Sequence, residues 1–175
     1  LYEISRRREL GIDSSWGHAF AAHRSRSIGA IALLGAMLSG LFIAWLFSAW
    51  LIYRLLLGLG PDVSAAEFLR AVLTTFDGWM MIVIGNSVGL LFAVLAFSIS
   101  VIAFPLIIDR HVDAPTAIRT SIAAVEANPR VMMIWGLMVT GLLVLGCLPV
   151  LVGLVVIMPV LGHATWHLYR KVVER

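Results

Sequence analysis

Between Val131 and Tyr169 the chain runs for 39 residues without an Asp, Glu, Lys or Arg. As one helix at about 1.5 Å per residue this stretch would reach about 58 Å, nearly twice the roughly 30 Å hydrocarbon core of a bilayer. Inside a membrane it has to fold back, and Pro149, next to Gly146 and Cys147, marks the place near its middle. A tight hairpin there predicts two spans, Val131 to Cys147 and Val150 to Tyr169. Two more uncharged stretches of spanning length occur, Ile28 to Tyr53 and Trp79 to Ile108.

Composition supports a lipid solvent: 61% of residues are apolar, 13% are charged, and the mean hydropathy is +0.97. A water-soluble domain of this length is excluded on those values. No linker-like stretch and no internal repeat divides the 175 residues, so a single membrane domain is expected. The predicted fold class is all-α: a polytopic membrane helical bundle with four transmembrane helices over about 28–53, 79–108, 131–147 and 150–169. In-plane amphipathic helices over about 14–24, 65–76 and 114–127 connect them.

Basic residues give an independent test, because Lys and Arg collect in short cytoplasmic segments. Eleven of the thirteen fall ahead of span one (Arg6, Arg7, Arg8, Arg24, Arg26), between spans two and three (Arg110, Arg119, Arg130), or after span four (Arg170, Lys171, Arg175). Only Arg54 and Arg70 occupy the loop after span one. Four spans place all eleven on one side, whereas three would export the C-terminal cluster. The expectation is a multi-pass protein of a bacterial cytoplasmic (inner) membrane with both ends of the chain inside.

Local signals fill in the connections. Ser64-Ala65-Ala66-Glu67 has the pattern of a capping box, followed by Phe68, Leu69, Val72, Leu73 and Phe76 at helical spacing. Asp113 can cap a second helix with Pro115 in its first turn, Ile118, Ile122 and Val125 as its apolar face, and Asn128-Pro129 as its stop. Trp16, Ala19, Phe20 and His23 share a face after a cap at Asp13 or Ser14.

Several stretches resemble a bacterial integral-membrane family, the domain-of-unknown-function 2189 family: LYEISRRREL, GIDSSWGHAF, TTFDGWMMIVIGNSVG, SISVIAFPLIIDR, AIRTSIAAVEANPR and PVLGHATWHLYRKVV. The resemblance covers essentially the whole chain. It implies a further N-terminal region with additional hydrophobic segments, which would make this chain part of a six-span protein without altering its topology. Some members of that family carry a label resembling cytochrome c oxidase subunit I. A haem–copper catalytic subunit requires many more spans and several intramembrane His ligands, so no haem is expected, and the resemblance assigns no site residue.

Strong chemical motifs are absent: there is no Gly-rich phosphate loop, CxxC, HExxH or GxSxG. The lone Cys147 cannot form an intrachain disulfide and is read as a packing residue. His163 and His167 stand at i and i+4 on one face of span four, with His163 about 9 Å inside Tyr169. That spacing can hold a zinc-type ion if another helix supplies a third ligand, and His111 or Asp109 at the inner end of span two is the obvious donor. The same residues are also explained as interfacial histidines hydrogen-bonded within the bundle beside Trp166 and Tyr169. The latter is the expectation, with no metal, no cofactor and no catalytic residue.

Asn86 lies inside span two between Gly85 and Gly89. A ligand contact is one reading of it; helix packing through small residues, with a hydrogen bond to the neighbouring helix, is the other and is favoured. No Asp, Glu, Lys or Arg lies within a span, which disfavours an ion-coupled pump or carrier. The N-terminal arginines can meet anionic lipid headgroups, while Glu3, Glu9 and Asp13 dilute the patch, and nucleic acid is not an expected partner. The expected partners are membrane lipids and other transmembrane helices: further N-terminal spans, a second copy, or subunits of a complex. Two function classes follow. One is a non-enzymatic scaffold or accessory subunit of a membrane complex, respiratory complexes included. The other is a small permease-like or lipid-handling protein.

Overall fold

A computed structural model describes residues 27–58, 60, 63–148 and 151–173. Over these residues the chain is an all-α, polytopic helical bundle with no strand. Seven helices are seen: α1 (Ile28–Leu56), α2 (Ala65–Thr74), α3 (Phe76–Ser100), α4 (Ala103–Arg110), α5 (Ala114–Ala127), α6 (Pro129–Cys147) and α7 (Leu154–Val173). The in-plane helix expected over 14–24, the N-terminal arginines and Pro149 lie outside the described residues.

Three of these stretches are long and apolar enough to cross a membrane: α1, the run Phe76–Arg110 that joins α3 to α4, and α6. The fourth expected span corresponds to α7, which has 20 residues but is not in that set. Its first half is apolar, while His163, His167, Arg170 and Lys171 make its second half polar. Only 6% of the most apolar stretch of α1 is buried, and Leu33, Phe42, Phe47, Val83, Leu90 and Leu137 all point outward. Lipid tails are as apolar as these side chains, so such exposure is compatible with a bilayer and would not be with water.

The chain divides into two compact units: Gly35–Ala96, and a second formed by Leu1–Leu34 with Phe97–Arg175. In the first unit, the capping box of α2 forms as the sequence suggests. Ser64 Oγ accepts from the Glu67 N–H at 3.3 Å, and the Ser64 N–H donates to Glu67 Oε2 at 3.0 Å. Thr75 then serves two helices. Its hydroxyl donates to Ala71 O at 2.6 Å at the end of α2, and its Oγ1 accepts from the Gly78 N–H at 3.0 Å at the start of α3. Gly78 is buried against the carbonyls of Ala71 and Val72, where any Cβ would collide with backbone.

The second unit holds most of the buried residues. The expected span Trp79 to Ile108 is not one continuous helix: a turn at Val101–Ile102 separates α3 from α4. Pro105 accounts for it, because its ring removes the N–H that would pair with Val101 O and crowds that carbonyl. In the turn, the Ile102 N–H donates to Ser121 Oγ of α5 at 3.1 Å, in a fully buried setting. α5 presents Ala114, Ala117, Ser121 and Ala124 inward, a stripe of small residues that lets α4 and α5 approach closely. Ile118, Ile122 and Val125, the expected apolar face, are only half-buried. The core is completed by Ile102 of the turn and Leu106 and Ile107 of α4, with Met132, Leu161, Trp166 and Tyr169.

At the far end of α6, Gly146 is buried against Leu154 and Ile157 of α7, with Leu154 Cδ2 only 2.8 Å from where a Cβ would sit. This close approach lets the two helices form a hairpin from a single apolar run. Cys147 beside it is exposed, not packed as expected.

Candidate functional site

The polar groups of the second unit gather where α4 ends. Asp109 and Arg110 close that helix, and His111 follows in the left-handed conformation, at φ 53°. Ser27, buried just ahead of α1, donates to Ile107 O at 3.2 Å, and its Oγ lies 2.7 Å from His111 Nδ1. On the opposite side, Tyr169 Oη of α7 donates to Asp109 Oδ2 at 2.8 Å, and Arg170 Nη1 stands 4.0 Å from the same oxygen. Tyr169 and Trp166 are fully buried one turn apart, with ring centroids 5.5 Å from each other. The Trp166 Nε1–H is buried and finds no acceptor.

This arrangement joins three chain segments through hydrogen bonds, and its donors and acceptors are largely committed to one another. Asp109, proposed from sequence as a metal donor, is instead a hydrogen-bond acceptor for Tyr169. His111 is exposed and engaged with Ser27, His163 is half-buried, and His167 is exposed. Among the described residues no three His, Cys, Asp or Glu side chains form a group that could hold a metal ion. The structure therefore does not bring His163, His167 and His111 together as a ligand set. Sequence spacing put two histidines on one helical face but carried no information about what faces them.

In the first unit, Asn86 donates from Nδ2 to Ile82 O at 2.7 Å, within its own helix and not across to a neighbour as expected. Gly89 does sit at a helix contact, because a Cβ there would lie 3.6 Å from Trp45 Nε1 of α1. Gly85 opens onto free space. Of the two glycines that frame Asn86, one packs and one does not.

Comparison with known families gives a match to the model described as "Predicted integral membrane protein (DUF2189)" over residues 1–109. The chain belongs to this family. The DUF2189 match reaches through α1, α2, α3 and most of α4, ending at Asp109, so α5, α6 and α7 lie beyond it. No curated protein and no solved structure matches this DUF2189 chain. Membership agrees with the apolar helices described above and identifies an integral membrane protein. The family description adds no catalytic or binding residue.

Proposed function

We propose that this protein is a non-enzymatic scaffold or accessory subunit of a bacterial cytoplasmic membrane, with both ends of the chain on the cytoplasmic side. The observation that carries this reading is an uncovered small-residue stripe on α1. Ala36, Gly40 and Ala44 recur at four-residue intervals and are all exposed, and a Cβ added at Gly40 would meet nothing within 4 Å. In lipid there is no hydrophobic force to join helices, so association depends on close van der Waals contact, which small residues permit. The polar cluster around Asp109 supports the same reading, since its groups bind one another in place of presenting a nucleophile or an acid–base pair at a cleft.

The test is purification from native membranes in mild detergent. Stoichiometric recovery of a second membrane protein, or of a homodimer, is expected. A Gly40→Leu variant should lower that recovery by about tenfold while leaving the fold intact, since the added side chain enters open space. A lone, monodisperse monomer from parent and variant alike would overturn the proposal.

A further inference from the structure

Within the unit Gly35–Ala96, α1, α2 and α3 line an open groove of about 480 Å³, a volume in the range of small-molecule sites. Its walls include Trp45 and Tyr53 of α1, Phe68 of α2, and Met81, Gly85 and Asn86 of α3. The Tyr53 and Phe68 rings lie 6.1 Å apart, so α2 contributes an aromatic wall alongside the two apolar helices.

Three features define what the groove can hold. First, its length: the lining on α1 runs from Trp45 to Tyr53, about 12 Å of helix, against the roughly 30 Å needed by a spanning helix. A partner helix would not be matched by so short a slot. Second, its charge: no Asp, Glu, Lys or Arg lines it, so an ionic group would enter without compensation. Third, its one carboxamide: Asn86 gives one hydrogen to Ile82 O, leaving its second N–H and its Oδ1 without a partner among the described residues. A hydroxyl satisfies both at once, accepting from Nδ2 and donating to Oδ1. Asn86 also lies seven residues beyond Trp79, about 10 Å along α3, deeper than a charged headgroup settles if Trp79 marks the interface.

We propose that this groove is a binding site for an uncharged lipid alcohol, with its hydroxyl on Asn86 and its chain running from there along Trp45. The site is independent of the scaffold reading. At about 100° per residue, Ala36, Gly40 and Ala44 fall on the opposite face of α1 from Trp45 and Tyr53. A partner on the small-residue stripe therefore leaves the groove open.

The test uses the purified protein in phosphatidylcholine nanodiscs, so it does not depend on recovering any partner. A diazirine-bearing hexadecanol is the probe, and a phosphatidylcholine carrying the same diazirine chain reports bulk lipid. The alcohol label should concentrate on peptides containing Trp45 to Tyr53 and Met81 to Val88, and excess unlabelled hexadecanol should displace it. Asn86→Leu should reduce this labelling by about threefold to tenfold, as expected for loss of the hydroxyl's partners. Gly85→Leu, which fills the groove from a position where an added Cβ meets nothing within 4 Å, should abolish it. Labelling no more localised than that of phosphatidylcholine, or failure of competition in the parent protein, would overturn the proposal even if a variant did not fold. Unchanged labelling in both folded variants would do so as well.

Discussion

Tyr169 Oη donates to Asp109 Oδ2 across 2.8 Å and 60 residues of sequence, tying α7 to the end of α4. The tyrosine is fully buried, and a buried hydroxyl without a partner is costly, so this bond fixes how the last helix meets the core. Tyr169→Phe removes the bond but keeps the ring against Trp166. We expect a loss of about 1–3 kcal/mol in denaturant unfolding followed by tryptophan fluorescence in mild detergent. Asp109→Asn retains an acceptor and should cost less than Tyr169→Phe; the reverse order would argue against this hydrogen bond as the tie.

Ser121 Oγ accepts the Ile102 N–H at the break between α3 and α4, 3.1 Å away and buried. Ser121→Ala leaves that donor buried and unpaired, so a destabilisation of about 1–3 kcal/mol is expected. Hydrogen exchange at the Ile102 amide should accelerate more than at Leu106, which bonds to Ile102 O within the helix. Equal acceleration at both would indicate general loosening of α4.

Gly78 has backbone carbonyls where its Cβ would be, and backbone yields less readily than a flexible side chain. Gly78→Ala should therefore separate α2 from α3 at a cost of about 1–3 kcal/mol. The Trp79 Nε1 bond to Leu73 O, 3.2 Å long, reports the change directly through the indole N–H chemical shift. A stable variant with an unshifted indole resonance would contradict the close approach.

Glu67 is held below the usual carboxylate range, chiefly by the Ser64 side chain and then by the Ser64 backbone N–H. A lowered folded-state pKa means that this contribution to α2 is complete above the unfolded value and disappears as pH falls through the folded one. The helical Cα shifts of Ala65 and Ala66 should hold from pH 7 to about pH 5 and decline in more acid solution. With Glu67→Gln, that acid-dependent decline should be absent.

Since His111, His163 and His167 do not assemble as a ligand set, zinc titration of a His163→Ala/His167→Ala double variant should match the parent isotherm within error. A saturable site present in the parent and missing from the double variant would restore the paired-histidine reading.

Features set by neighbouring residues are legible in the sequence. The Ser64–Glu67 box, the Asp113 cap accepting from the Thr116 N–H, and the stop at Asn128 before Pro129 all depend on contacts within one turn. The small stripe of α5 is different. Periodicity marks Ile118, Ile122 and Val125 as the apolar face, but in lipid the more apolar face need not be the buried one. Close packing selects Ala114, Ala117, Ser121 and Ala124 instead.

The candidate sites were less legible for the same reason. Asn86 stood out as a carboxamide within an apolar run, yet only the fold shows that its amide bonds Ile82 and that Trp45, Tyr53 and Phe68 lie around the same groove. Asp109 and Tyr169 carry no mutual signal in sequence. Their pairing follows from packing between two helices far apart in the chain.

By itself the sequence determines the solvent, the helical class and the need to divide the run from Val131 to Tyr169. Each follows from the number of uncharged residues against the thickness of a bilayer and the rise of a helix. Tertiary structure decides that Ser121 takes the Ile102 N–H at the break between α3 and α4. It also decides that α6 and α7 close at Gly146 and that Tyr169 meets Asp109. Those outcomes depend on which surfaces fit together in lipid, where apolar pattern alone does not choose a partner.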